Sequence, residues 1–415
     1  MDRIILHSDL NNFYASVECM LNPSLKGRPV AVCGSTEERH GIVLAKNYEA
    51  KAYGIQTAET VYSALKKCPG LIAVPPRFDE YIKYSALVRD VYRRYTDMIE
   101  PFGMDECWLD VTSSTAMFGT GREIAYSIKQ SIKKETGLTV SVGVSFNKIF
   151  AKLGSDMKKP DAVTLITRGN FKKKIYPLPA SDLLGVGRAT TEKLKRYGIF
   201  TIGQLSAANP EFLEKILKSH GKLIWRYANG YDCSAVSHLN YKSPIKSIGH
   251  GITAKRDMKN NDEVLRVLLE LSYDIGHKLR KNALCACGVS VAVRDSDLKI
   301  KQYQCRLNFA TQSETYIVQT AFELFRNQYP WDRDIRSVTL RAIDLIPSQT
   351  PEQLDLFSKR GRVDRLEKID AVTDEIRQKF GENSITKASL IALELLAPER
   401  SKGINMPTGI ITCMS

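Results

Sequence analysis

Nowhere does this chain of 415 residues run to 18 uninterrupted apolar residues, the length that a bilayer-spanning helix needs. The opening stretch from Met1 to Tyr14 carries His7, Asp9 and two Asn, which excludes a signal-peptide core and predicts a strand followed by a turn. Histidine is sparse at six residues, and the nine cysteines are an odd number scattered singly. No cysteine pair has zinc-knuckle spacing, and Cys285-Ala286-Cys287 reads as the alternating faces of one strand. Unpaired thiols point to a reducing compartment, so a cytoplasmic protein is expected. Acidic charge is in short supply too: 60 Lys and Arg face 46 Asp and Glu, a net charge of +14. Such an excess favours polyanionic partners, nucleic acid first and anionic membrane second.

Length allows about two to four domains with cores of their own. Residues 1–165 alternate strand-like runs (28–33, 41–45, 71–75, 104–111, 139–145, 163–166) with helical stretches. Tyr81, Tyr84, Leu87, Val88, Val91, Tyr95 and Ile99 recur near helical spacing and predict one long helix over 80–100; a second is predicted over 121–136, ending before Gly137. Residues 166–232 read as short helices punctuated by glycine. Charge is concentrated there: from Lys158 to Arg226, 14 Lys or Arg stand against 5 Asp or Glu, a net of +9. A polar linker is predicted over 233–243. Residues 244–346 then read as strand, helix, strand, strand, helix, strand, a small α+β domain with two helices on one face of a four-stranded sheet. Beyond Pro347 comes a polar tail, in which Val363, Leu366, Ile369, Val372, Ile376 and Phe380 form an apolar stripe stopped at Gly381, an amphipathic helix over 362–380.

Three acids are the candidates for chemistry. Asp9 ends the run Ile4-Ile5-Leu6-His7-Ser8-Asp9, and Asp105-Glu106 lie in Pro101-Phe102-Gly103-Met104-Asp105-Glu106-Cys107-Trp108-Leu109-Asp110. Carboxylates brought in by neighbouring strands share hard divalent cations, and two such ions about 3.5–4 Å apart stabilise both oxygens of a phosphoryl transfer. A solvated strand end is the alternative. Adjacent Asp and Glu on a regular strand also face opposite ways, so a shared site demands a turn or bulge there.

Beside these stand Asn47-Tyr48-Glu49-Ala50-Lys51 and Ser155-Asp156-Met157-Lys158-Lys159-Pro160, whose hydroxyl and flexible cations suit a triphosphate. Singly, each is equally a solvated surface charge. Tyr14, shortly after the first acid, is placed either to lie under a bound sugar and exclude a 2′-hydroxyl or to fill the core. The turn Gly185-Val186-Gly187 opens the basic helix that begins Arg188-Ala189-Thr190-Thr191-Glu192-Lys193, and it can aim backbone N–H groups at a phosphate. It resembles a helix-hairpin-helix element, which positions DNA without reading sequence.

In this order, the acid-plus-aromatic start, Asn-Tyr-Glu-Ala, Asp-Glu-Cys-Trp-Leu-Asp, Ser-Val-Gly-Val-Ser (141–145), Asp-Met-Lys-Lys-Pro and the hairpin make the chain resemble a Y-family translesion DNA polymerase of the bacterial polymerase IV branch over residues 1–346. The resemblance implies an α+β multidomain right hand: palm at 1–10 and 78–165, fingers at 11–77, helical thumb at 166–232, and an α+β little finger at 244–346. It implies a DNA-directed DNA polymerase that adds dNTPs to a primer opposite damaged template, using two Mg²⁺ ions. Asp9, Asp105 and Glu106, with the Leu10 carbonyl, would be the metal ligands and Tyr14 the sugar gate. Tyr48, Lys51 and Lys159 would take the triphosphate; Gly185, Gly187, Arg188 and Lys193 would hold the primer-template duplex. Gln353-Leu354-Asp355-Leu356-Phe357 resembles the peptide with which bacterial polymerases bind the sliding clamp, through Gln353, Leu354, Leu356 and Phe357. A monomer is expected. Departures from the family pattern are Lys51 in place of the usual Arg, Thr57-Ala58-Glu59-Thr60 in place of a Gly-apolar-Pro turn, and Ile42 in place of a small residue. Two competing readings are a non-catalytic DNA-binding adaptor and a nucleotide cyclase; primer extension separates the first, and a product assay with free NTP the second.

Overall fold

The computed structural model describes residues 2–35, 41–351, 360–381 and 384–390, and the chain divides into two compact units that meet in sequence at Ser243 and Pro244. In chain order the strands are β1 (Ile5–Leu10), β2 (Val30–Cys33), β3 (Val43–Lys46), β4 (Ile72–Val74), β5 (Ile99–Pro101), β6 (Glu106–Asp110), β7 (Val140–Ser145), β8 (Val163–Leu165), β9 (Ile248–Met258), β10 (Leu284–Asp295), β11 (Ile300–Thr311) and β12 (Ile335–Pro347).

The first unit is built on a five-stranded sheet in the order β5-β6-β1-β7-β8. Central β1 is buried along its whole length although His7, Ser8 and Asp9 are polar, and burial of the first two is met by hydrogen bonds: His7 Nδ1 lies 2.8 Å from the Ser155 hydroxyl, and the Tyr92 hydroxyl donates to Ser8 at 2.9 Å. The helix Lys148–Met157 joins β7 to its parallel neighbour β8. Gly143 on β7 is what lets that helix lie so close, since a Cβ there would stand 1.9 Å from the Ala151 carbonyl oxygen. The helices Phe78–Arg93 and Gly121–Thr136 supply Tyr81, Val88, Ile124, Ile128 and Ile132 to the core on which Leu6, Leu109 and Val142 lie.

The helix expected over 80–100 stops at Arg93. Ile99, which continued the helical spacing, instead pairs with Leu109 as the start of β5. Thr96 and Asp97 intervene, and short polar side chains of this kind offer the backbone non-helical hydrogen bonds. The Thr96 hydroxyl donates to the Asp110 carbonyl at 2.7 Å.

Within the same unit β3-β2-β4 form a small separate sheet. Residues 166–232 are short helices around Ile175, Leu194, Ile202, Leu205, Leu213 and Ile224. The expected linker has no strand or helix over 233–243, yet part of it is fixed in place. The Arg3 guanidinium donates to the Ser234 carbonyl at 2.7 Å, Val236 is buried beside Trp108, and the Ser237 N–H donates to Glu100 at 2.9 Å.

The second unit carries an antiparallel sheet in the order β11-β10-β12-β9, covered by the helices Asn261–Lys281 and Glu314–Gln328. The tail helix spans Arg360–Phe380 and ends at Gly381 with φ +101°. Only part of its apolar stripe is buried. Val363, Asp370 and Arg377 are buried, while Ile369, Val372 and Phe380 stand more than half exposed at 52%, 54% and 68%. The helix's contacts are largely polar: the Arg280 guanidinium, which also donates to Glu314 at 2.7 Å, donates to Asp374 at 2.6 Å, and the Glu314 N–H donates to Asp370 at 3.0 Å. Among the described residues no helix is long and apolar enough to cross a membrane.

Candidate active site

Antiparallel pairing of β1 and β6 puts Asp9 directly across from Glu106. Asp105 precedes β6 in a bent segment, and its carbonyl accepts from the Leu10 N–H at 3.0 Å. That bend is the turn the sequence demanded. It removes Asp105 from the strand's alternation, so Asp9, Asp105 and Glu106 all line one cavity of about 310 Å³, with Leu10, Asn12, Phe13, Tyr14, Lys46 and Lys159 among its other walls. Gly103 leaves room for the bend, since a Cβ there would come within 2.9 Å of the Asp105 carboxylate.

Two lysines neutralise this acidic wall. Lys159 Nζ donates to Asp9 at 2.7 Å and lies 3.0 Å from Asp156; Lys152 Nζ donates to Glu106 at 2.6 Å. Burial raises the Asp9 carboxyl to about 7 and that of Asp105 to about 6, each pushed further by the neighbouring acids. Glu106 goes the other way, to about 2: burial opposes this, but His7, whose Nε2 lies 3.4 Å away, and the charge of Lys152 outweigh it. Of these two partners Lys152 is the cation, because fully buried His7 is itself held below its ordinary value by desolvation, which favours neutral imidazole.

Three carboxylates in one cavity, two of them straining toward protonation, form an all-oxygen set that suits a hard divalent cation. Among the described residues no three such side chains are yet drawn round a common point. Glu106 and Asp9 are instead paired with Lys152 and Lys159.

Tyr14 also lines the cavity, at the first turn of the helix Phe13–Leu21. Tyr48 is half-buried at the start of Tyr48–Ala52, and burial raises its hydroxyl, with the charges of Lys159 and Asp9 acting on it. Lys51 is exposed and does not line the cavity; its Nζ lies 5.8 Å from the Tyr48 ring. The cavity's second lysine is Lys46, which sequence reasoning missed together with Lys152. Lys46 ends β3 and donates to Thr57 at 3.1 Å, so the unusual Thr57-Ala58-Glu59-Thr60 turn supports the wall. A cation one residue before Asn47 was the available signal. Nothing in the sequence marked Lys152, which reaches Glu106 only through the fold.

Gly185 has φ +91° and its carbonyl lies 2.8 Å from His220 Nε2, so glycine is required there. Gly187 differs: its φ is −76° and a Cβ would meet nothing, so the chain's own fold makes no demand for glycine. Before the hairpin stands only the short 3₁₀ turn Ala180–Asp182, and after it the helix Arg188–Lys195, with Arg188 and Lys193 exposed. Gln353, Leu354, Leu356 and Phe357 lie outside the described residues.

Residues 8–156 match the impB/mucB/samB family, and residues 245–356 match that family's C-terminal domain. The DNA polymerase IV of Acetivibrio thermocellus is 48% identical over 94% of this chain and 98% of its own length. DNA polymerase IV 1 of Bacillus subtilis is 34% identical over 94% of each chain. Among solved structures, a chimera of the Y-family DNA polymerases Dbh and Dpo4 superposes with a TM-score of 0.73 at 27% identity, covering 83% of this chain and 99% of that one. A Dbh ternary complex superposes with a TM-score of 0.56 at 26% identity and the same coverage. The fold class is thus that of the Y-family DNA polymerases, mixed α and β with a C-terminal sheet domain. The chain belongs to that family, among relatives named DNA polymerase IV, and it is a DNA-directed DNA polymerase of the translesion type.

Proposed function

We propose that this polymerase extends a primer 3′ end by two-metal phosphoryl transfer in the cavity at the Asp9 end of β1 and the Glu106 end of β6, and that a sliding clamp recruits it to DNA. The observation that carries the reading is the convergence of Asp9, Asp105 and Glu106 on one cavity with Tyr14 and Lys159. In this assignment residues 1–10 and 78–165 are the palm, 11–77 the fingers, 166–232 the thumb and 244–346 the little finger. Asp9, Asp105, Glu106 and the Leu10 carbonyl would hold two Mg²⁺ ions. The chemistry such ions would supply there is a lowered pKa for the primer hydroxyl and charge neutralisation of the departing pyrophosphate.

The protein's own share is positioning and electrostatics. Lys159 exchanges its Asp9 partner for the triphosphate of the incoming dNTP, with Tyr48 and Lys51 as further contacts, and the exchange frees the Asp9 carboxylate. Coupled in this way, nucleotide entry and ligand release form one event. Tyr14 lies beneath the sugar and excludes a 2′-hydroxyl. Exposed Arg188 and Lys193, at the hairpin of Gly185 and Gly187, grip the duplex backbone. The segment Gln353 to Phe357 docks on the clamp, whose tether raises the local concentration of primer ends.

Primer extension tests the reading. Asp105→Ala should lose Mg²⁺-dependent incorporation, by on the order of 10³-fold or more, while keeping its affinity for primer-template. Normal extension by that variant would refute the assignment. Deleting 353–357 should spare distributive synthesis and remove stimulation by the clamp; equal stimulation of both proteins would refute the recruitment.

A further inference from the structure

We propose that Tyr81 sets the sugar selectivity of this polymerase without touching the nucleotide, by fixing the ring of Tyr14 from below. The inference rests on the assignment of Tyr14 as the sugar gate. The two rings stack with centroids 4.3 Å apart and planes 11° from parallel. Tyr81 is fully buried in the core beneath the cavity and is absent from the cavity wall, so its route to the substrate runs through Tyr14. Phe78 stands edge-on to both rings, with centroids 6.0 Å from Tyr14 and 5.8 Å from Tyr81, and closes the stack from the side.

What distinguishes this stack from ordinary aromatic packing is how Tyr81 is held. Its hydroxyl donates to Glu18 Oε1 at 2.6 Å. Glu18 is only 3% exposed, and Arg77 meets its two carboxylate oxygens with Nε at 3.2 and 3.0 Å, and with a further guanidinium nitrogen. Glu18 lies four residues beyond Tyr14 on the helix Phe13–Leu21, and Tyr81 four residues beyond Arg77 at the start of Phe78–Arg93. Residues four apart share a helix face, so the two pairs interlock. Tyr14 is tied to Glu18 by its helix, Glu18 to Tyr81 by a hydrogen bond, and Tyr81 to Tyr14 by the stack. Sliding the Tyr14 ring would break that closed loop at one of its links.

A buried carboxylate is a costly way to fill space, because its desolvation is repaid only when partners satisfy it. Apolar side chains would pack as well. The charged arrangement buys a defined position for one ring, and position is what excluding a single hydroxyl requires: displacements near 1 Å at a reacting centre cost about 10²-fold. Tyr81 is therefore a positioning residue.

The test is the ratio of kcat/KM for dNTP to that for the matching rNTP, measured by primer extension on undamaged template. Tyr14→Ala serves as the reference, Tyr81→Leu removes the ring, and Tyr81→Phe keeps the ring but cuts the tie to Glu18. Tyr14→Ala should lower the ratio most. Tyr81→Leu should lower it at least tenfold with dNTP kcat/KM within a few-fold of wild type, and Tyr81→Phe should lower it several-fold. Adding Tyr81→Leu to Tyr14→Ala should lower it no further, since both act through the same ring. If Tyr14→Ala relaxes selectivity and both Tyr81 variants keep the wild-type ratio, the proposal is overturned while the gate stands. If Tyr14→Ala itself leaves the ratio unchanged, gate and proposal fall together. Should Tyr81→Leu melt before it can be assayed, Tyr81→Phe decides alone, and an unchanged ratio overturns the proposal.

Discussion

Asp105 sits where its ionised form is disfavoured, with a carboxyl raised to about 6 by burial and by Glu106. The native state thus binds a proton more readily than the unfolded chain between the ordinary value of 3.8 and about 6, and stability falls as pH rises through that window. Asp105→Asn is expected to melt roughly 2–5 °C higher than wild type at pH 8, with the difference closing below about pH 4. Thermal melts at the two pH values check it. That variant should be more stable and inactive, the pattern of a site kept strained for function. Lys159 and Lys51 differ in the same local terms. Lys159 is at the cavity and Lys51 outside it, so Lys159→Ala should raise KM for dNTP roughly tenfold and Lys51→Ala by much less, in steady-state kinetics.

At the scale of elements, the tail helix Arg360–Phe380 hangs on Arg280. Glu314 is only 4% exposed at its side chain and burial already lifts its carboxyl to about 7 with the guanidinium in place. Arg280→Ala would remove the guanidinium shared by Glu314 and Asp374, leaving Lys387 4.0 Å from the first and His277 3.2 Å from the second, a loss of about 3–5 kcal/mol when one partner of a buried pair is removed. Amide exchange across 360–380 should accelerate, and less so at pH 5, where Glu314 takes up a proton. A smaller effect belongs to Ala58, whose φ of +69° lies in the left-handed region. Ala58→Gly should stabilise the first unit by about 1 kcal/mol in denaturant unfolding.

These elements also show what the residue pattern made legible. Where burial is apolar and regular the sequence named the element: the helix predicted over 121–136 is Gly121–Thr136, and strand 139–145 is β7 short of one residue. Where polar contacts decide, it did not. Helical spacing carried Tyr95 and Ile99 into a helix that stops at Arg93, and the apolar stripe of the tail helix gives no hint of the ion pair from Arg280 to Asp374. The three acids were readable because each stands at a strand end. Lys152 was not, because its partner Glu106 lies 46 residues away and is reached only across the sheet.

For the whole molecule, the charge of +14 sets how DNA is held. Binding of primer-template should weaken linearly in log–log salt, since neutralised phosphates release counterions. Replacing Arg188 and Lys193 with Ala should reduce that slope by about 2 and weaken all sequences alike. A slope unchanged in the double variant would remove the hairpin from the duplex contacts.

The central claim, that Asp9, Asp105 and Glu106 jointly hold a metal pair, is met most directly by counting ions. Mn²⁺ titrated into the enzyme with a 3′-deoxy primer-template and matched dNTP, and followed by electron paramagnetic resonance, should show two bound ions per chain, with a coupled signal that disappears in Asp105→Ala. Equal Mn²⁺ binding by wild type and variant, or no bound ion in the wild-type ternary complex, would contradict it.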